Sequence, residues 1–182
     1  ALQDTHEITV VNHDHADGLV SLARSILDLV DGDFSIAGHS MGGYITFEVW
    51  RQAVIVMEEK RIERMALIGT QARTDAPEME KSRRDFIKLA KRGKFKGMSP
   101  VLLKNFLAPQ SLDDKSITSV VYEMALDTGP EGFINQCEII LDRPDSRATM
   151  LEITCPTMVL VGEQDQRTPV ALSQEMATCI PK

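Results

Sequence analysis

The chain has 182 residues, 43% of them hydrophobic and 26% charged, a composition ordinary for a single globular domain. Its 20 basic and 27 acidic residues give a formal net charge of -7, which argues against a binder of nucleic acid or anionic membranes. No apolar run approaches the roughly 20 residues that span a bilayer. Cys137, Cys155 and Cys179 are odd in number and far apart, so we predict free thiols and a cytoplasmic location.

Strand and helix patterns alternate over residues 1–73. The β-branched run 6–13 (HEITVVNH) predicts a buried strand, and apolar residues at helical spacing over 19–30 predict an amphipathic helix. A second strand is predicted at 34–38 (FSIAG), a helix from 42 to about 53, and a third strand at 64–69 (RMALIG). This alternation predicts an α/β fold with a mostly parallel sheet and helices on both faces.

The pattern changes between residues 74 and 150, where strand signals vanish and helical periodicity replaces them. A strong strand pattern returns in 154–165, followed by a helical pattern in which Thr168 is the predicted N-cap and Pro169 the first helical residue. We therefore predict a core formed by 1–73 and 151–182, interrupted by an all-helical insertion at 74–150.

Residues 38–42 read Gly-His-Ser-Met-Gly, which fits G-x-S-x-G between a predicted strand and a predicted helix. That context is the one a nucleophile elbow needs, because the serine must stand exposed on a sharp strand-to-helix turn. Glycine is expected at Gly38 and Gly42 to avoid collisions across the turn, and Gly43 gives the helix room on the sheet. The Met41 N–H would point toward a developing oxyanion, and the helix dipole favours negative charge there.

One other interpretation of this segment competes with catalysis, and two further ones fail. A turn rich in small residues could use Ser40 merely as a helix cap. A phosphate-binding P-loop is excluded because no Lys-Ser/Thr pair follows the glycines, and a dinucleotide fingerprint fails because Ser40 stands where its second glycine should be.

Four features together resemble the α/β-hydrolase superfamily, near its small bacterial esterase-like members. They are "AGHSMGGY" at 37–44, the helical insertion, "RPDSR" at 143–147 and "CPTMVLVGEQDQRTP" at 155–169. The resemblance implies that Ser40 is the nucleophile, that Met41 contributes to the oxyanion hole, and that Asp165 is the triad acid. It also implies a helical cap at 74–150 and an elbow whose other members are Gly38, His39, Gly42 and Gly43.

The histidine of the triad has no match in this sequence. The family order is Ser, Asp, then His, but no histidine follows Asp165. The four histidines are His6, His13, His15 and His39. The glycine-rich loop that gives the second oxyanion donor is also unmatched, as is the strand expected between 6–13 and 34–38. We therefore predict a portion of a longer protein, inactive by itself; a partner chain supplying the strand is the alternative.

The resemblance predicts a serine hydrolase that cleaves a small ester, thioester or related acyl substrate without a cofactor or metal. A small-molecule acyl substrate is the expected partner, nucleic acid and membrane are not, and homo-oligomerisation stays open. Asp142 and Asp145 are rivals for the triad acid, but they do not follow a strand. The alternative function is a non-catalytic, hydrolase-like binding or scaffold protein.

Overall fold

A computed structural model describes residues 3–13 and 17–181 of the chain. Its helices before the insertion are α1 (Leu19–Leu29) and α2 (Met41–Ile55), and its strands are β1 (Phe34–His39), β2 (Ile62–Ile68) and β3 (Thr157–Leu160). The remaining helices are α3 (Pro77–Lys91), α4 (Pro100–Leu103), α5 (Lys115–Asp142), α6 (Arg147–Met150) and α7 (Val170–Cys179). Over the described ranges, no helix is both long and apolar enough to cross a bilayer.

The three strands form a parallel sheet in the order β1-β2-β3, flanked by helices as predicted. Ile36 is in register with Met65, and Leu67 is in register with Val159. The carboxyl ends of the strands therefore meet at one edge of the sheet. At that edge the Ser40 N–H donates to the Ile68 carbonyl at 2.9 Å, and the segments after the strands begin side by side.

One face of the sheet carries the hydrophobic core. Met65 and Leu67 of β2 are buried there, together with Phe47 and Trp50 of α2. Helix α1 packs against α2, and its five buried residues lie on one side of the helix at the predicted spacing: Leu19, Leu22, Ala23, Ile26 and Leu27. This packing holds β1 and α2 firmly on either side of residue 40.

The predicted strand at residues 6–13 is wrong. These residues have no strand conformation, and Val10 is 86% exposed. A β-branched sequence prefers extended backbone, but a strand is stabilised by its pairing and by a covered face. No strand in the described part of the chain pairs with this segment, so its propensity alone does not produce one.

Helices fill the stretch between β2 and β3, where the sequence predicted them. Helix α3 packs against α5, and α5 is broken at Gly129, which has φ 63° and ψ 179° and precedes Pro130. Proline removes a backbone donor and clashes with the preceding turn, so the break falls where the sequence requires it. The predicted cap of α7 is wrong, since Pro169 is the N-cap and the Thr168 hydroxyl bonds Asp165 instead.

Candidate active site

Ser40 is the single residue between the end of β1 and the start of α2. Its backbone conformation is one that few residues adopt. Its φ of 51° and ψ of -113° lie in the left-handed region, and the residue is exposed. Such a conformation costs about 1–3 kcal/mol in a residue other than glycine, and it persists only where surrounding contacts enforce it. Here the Ser40 N–H is bound to Ile68, and the Ser40 carbonyl accepts from the Thr70 hydroxyl at 2.7 Å.

The glycines of the elbow have unequal roles. A Cβ on Gly38 would overlap the Gly42 carbonyl oxygen, and a Cβ on Gly43 would overlap the Thr70 side chain. A Cβ on Gly42, in contrast, would meet no atom within 4 Å. The prediction that Gly42 is needed to avoid a collision is therefore wrong, because α2 turns that position away from β1. The tight approaches involve Gly38 and Gly43.

We expect Gly38→Ala to lower the free energy of unfolding by about 3 kcal/mol, because the new methyl overlaps backbone that cannot move aside. Gly42→Ala is the matched control. It adds the same methyl in open space within the first turn of a helix, so it should be neutral or stabilise by up to about 1 kcal/mol. Urea unfolding of both variants measures the difference, and equal effects would contradict this account of the elbow.

Met41 is the first residue of α2, and its side chain is buried in the core. The first N–H groups of a helix have no partner within the helix, and they carry the positive end of its dipole. The Met41 N–H therefore lies beside Ser40 at a helix N-terminus, where an anionic oxygen is stabilised. Its assignment to an oxyanion hole remains a prediction.

Asp165 lies in the loop after β3, half-buried, with its carboxylate held by the loop itself. Oδ1 accepts from the backbone N–H groups of Arg167 at 2.8 Å and Thr168 at 2.7 Å, while Oδ2 accepts from the Thr168 hydroxyl at 2.9 Å. These three bonds fix the carboxylate in one orientation. They also make Asp165 the residue that shapes the turn leading into α7.

Gly69, directly after β2, is the place where the candidate residues converge. A Cβ on Gly69 would lie 3.4 Å from His39 Nε2 and 3.5 Å from Asp165 Oδ2. The His39 ring and the Asp165 carboxylate therefore both border Gly69, whose φ is 49°. Because His39 directly precedes Ser40, the structure places Asp165 on the same edge of the sheet as the serine.

Asp145 and the described histidines other than His39 make contacts of their own. Asp145 forms an exposed ion pair with Arg147 at 2.6 Å, which lowers the Asp145 pKa through that hydrogen bond, and Asp142 ends α5 with an exposed side chain. His6 is exposed beside Thr5, and the His13 carbonyl accepts from Asn135 of α5. His15 lies outside the described residues.

Sequence reasoning missed three residues that support the elbow. Thr70 is fully buried and donates to the Ser40 carbonyl, Thr46 donates to the Gly42 carbonyl at 2.8 Å, and Gly69 leaves room for His39 and Asp165. The signal was present, since Gly-Thr directly follows the strand adjacent to the one that leads into Ser40. Small and hydroxyl residues at that position are suited to support a neighbouring turn.

A cavity of about 400 Å³ adjoins the Asp165 loop. Residues 104–108 and 110 of the insertion line one side, and residues 162–166 line the other. The Arg167 guanidinium lies over the Phe106 ring at 5.3 Å, which joins the two sides. The insertion therefore reaches the loop that carries Asp165 and borders a cavity of the size that small-molecule sites have.

Comparison with known proteins identifies the class of fold. No protein-family model and no curated protein matches the sequence. Among solved structures, a thermophilic esterase from Thermogutta terrifontis is 25% identical with a TM-score of 0.74, and 95% of this chain aligns with 63% of that one. A hydrolase from Pseudomonas aeruginosa PA01 is 24% identical (TM-score 0.75), with 90% of this chain aligned to 60% of that one.

An enol-lactonase from Burkholderia xenovorans LB400 is also similar, with 24% identity, a TM-score of 0.74, and coverage of 90% of this chain and 61% of that one. These structures confirm the predicted resemblance: the chain has the fold of the α/β-hydrolase superfamily. It spans about three fifths of the length of these three relatives.

Proposed function

We propose that this chain carries the nucleophile and the acid of a serine hydrolase of the α/β-hydrolase type. The observation that carries the proposal is Ser40, exposed in a left-handed backbone conformation between β1 and α2 at the edge of the sheet where Asp165 also lies. The fold holds this residue in a strained conformation through two hydrogen bonds to residues at and just after the end of β2, Ile68 and Thr70. Strain of this kind is typical of catalytic positions.

The proposed reaction begins with attack of Ser40 Oγ on a carbonyl carbon. A histidine from outside these 182 residues takes the serine proton and later gives it to the leaving group, while Asp165 orients that histidine and stabilises its charged form. The Met41 N–H stabilises the oxyanion, together with a second donor from outside this sequence. Without those two groups, these residues alone should be inactive.

The proposed substrate is a small ester, thioester or related acyl compound. Residues of the insertion line one side of the cavity beside Asp165, which supports the role of 74–150 as a cap. No cofactor or metal is needed for this chemistry. The free thiols of Cys137, Cys155 and Cys179 suit the proposed cytoplasmic location, where thiols stay reduced.

A hydrolase-like binding or scaffold protein is the second candidate. It is favoured by the Asp165 hydrogen bonds, because both carboxylate oxygens serve the loop itself and that role needs no histidine. In such a protein Ser40 would have no base to activate it.

A fluorophosphonate probe separates the two candidates. The full-length protein should be labelled at Ser40, within the tryptic peptide 25–51, because only an activated serine attacks phosphorus rapidly. Ser35→Ala is the matched control, since Ser35 is an exposed serine in the same peptide. Labelling should persist in this variant. A full-length protein that stays unlabelled would support the binding protein instead.

A further inference from the structure

The two ends of the helical insertion meet at one buried arginine. Arg143 directly follows α5, and Asp75 lies two residues before α3, so the two stand where the insertion leaves and enters the core. Arg143 Nη2 donates to Asp75 Oδ1 at 2.8 Å. Arg83 of α3 donates to Asp75 Oδ2 at 2.8 Å. One carboxylate thus binds both the first helix of the insertion and the residue after its last long helix.

The remaining groups of Arg143 are also engaged. Its Nε donates to the Arg73 carbonyl at 3.2 Å, and its Nη1 donates to the Ile140 carbonyl at 2.6 Å. The guanidinium lies over the Tyr44 ring at 4.2 Å, and only 2% of the side chain is exposed. We call Asp75, Arg83, Arg143 and Tyr44 the hinge cluster.

The hinge cluster connects the insertion to the elbow. Tyr44 lies in the first turn of α2, four residues after Ser40, and the main chain between them is the tight turn described above. Arg143 therefore contacts α2 through its flat face and both ends of the insertion through its N–H groups. A displacement of Arg143 would move the insertion relative to the residue that attacks.

The chemistry of the cluster requires arginine. A guanidinium presents planar, directed donors and stacks on an aromatic ring, whereas a lysine ammonium does neither in this geometry. Burial acts to raise the pKa of Asp75, but the hydrogen bonds and charges of Arg83 and Arg143 outweigh it and leave that pKa below its usual range. The carboxylate is thus charged at neutral pH and holds both arginines.

We propose that Arg143 is a positioning residue that fixes the helical insertion against α2, the helix that begins after Ser40, and so sets which acyl groups the site accepts. The proposal rests on the proposed function, because selectivity among acyl groups has meaning only if Ser40 reacts with them. The nearby Arg147–Asp145 pair shows the contrast. Its two side chains are 53% and 35% exposed and both lie in the 145–147 turn, so it joins no separate elements.

The test uses the full-length protein with p-nitrophenyl acetate and p-nitrophenyl octanoate as substrates. Arg143→Lys should lower kcat/KM for the octanoate ester on the order of 100-fold, mainly through KM, while the value for the acetate ester stays within about threefold. A small acyl group needs few contacts with the insertion, whereas a long one needs the insertion in place. Arg147→Lys, the matched control, should leave both values unchanged.

A second variant tests whether the effect of Arg143→Lys comes from general loss of the fold. Tyr44→Leu keeps every charge of the hinge cluster paired and removes only the stacking ring, and it should shift the ratio of the two esters in the same direction. Equal losses for both esters in Arg143→Lys and Tyr44→Leu would overturn the proposal, since they would indicate general destabilisation. An unchanged ratio would overturn it as well.

Hydrogen exchange distinguishes this failure from failure of the proposed function. Amides of α3 and α5 should exchange on the order of tenfold faster in Arg143→Lys than in Arg147→Lys, because the insertion is released from the core. Wild-type protein that hydrolyses neither ester would overturn the proposed function and the selectivity role together. Faster exchange in Arg143→Lys would then still support Arg143 as the residue that holds the insertion on the core. Unchanged exchange would contradict that role as well.

Discussion

Replacing Ser40 with alanine in the full-length protein should lower kcat for ester hydrolysis on the order of a million-fold and abolish fluorophosphonate labelling. The change removes the Oγ atom that attacks, and no other group replaces it. Helix α2 receives no side-chain capping bond from Ser40, so its loss should leave the fold intact. Steady-state kinetics with p-nitrophenyl acetate measures the effect.

Ser40→Gly is a second useful variant, because it separates the effect of backbone strain on stability from the effect of the missing hydroxyl on activity. Glycine adopts a φ of 51° without the steric cost that any side chain incurs there, so this variant should be inactive yet more stable by about 1 kcal/mol. Ser40→Ala should bring no such gain, since alanine keeps the Cβ. Retained hydrolysis in either variant would remove Ser40 as the nucleophile.

Asp165→Asn should lower kcat on the order of ten-thousandfold, because an amide cannot stabilise a charged histidine or hold its reactive tautomer. The loop should survive the change. The Asn Oδ1 can still accept from the N–H groups of Arg167 and Thr168, and its Nδ2 can donate to the Thr168 hydroxyl. We therefore expect the free energy of unfolding to change by less than about 1 kcal/mol.

Asp145→Asn is the control for charge alone, since it removes one carboxylate from an exposed pair with Arg147. It should retain full activity, because exposed ion pairs contribute little and Asp145 lies outside the site. If Asp165→Asn hydrolyses ester within tenfold of wild type, Asp165 only shapes its turn. The same measurement on Asp142→Asn would then test Asp142, the remaining candidate for the triad acid.

The helical and strand elements that contact the core were predictable because each carries its own signal. The apolar spacing of α1, the short runs of β1, β2 and β3, and Pro130 beside the break in α5 are local features of the sequence. The elbow was predictable for a related reason. A serine between glycines, after a strand and before a helix, predicts the sharp turn of a nucleophile elbow, and few other turns require this combination of residues.

The errors occur where a partner elsewhere in the chain decides the outcome. Residues 6–13 have the composition of a strand, yet in the described structure no strand pairs with them. Thr168 has the character of a helix cap, but its hydroxyl binds Asp165 three residues earlier. Gly42 fits the motif, whereas the close approach to Thr70 is made by Gly43. The local preference fails where the expected partner is absent from the described part of the chain, as at 6–13 and Gly42, or where another contact replaces it, as at Thr168.

The α/β class and the turn at Ser40 follow from local patterns of the sequence, namely the period of apolar residues and the glycine spacing, and the family resemblance implied the pairing of Ser40 with Asp165. The folded chain was needed to show that His39 and Asp165 both border Gly69, that Thr70 supports the turn, and that Arg143 joins both ends of the insertion. These contacts link residues 30 to 96 positions apart in the sequence. Such pairs follow from the register of the sheet and the packing of the insertion, which no local pattern encodes.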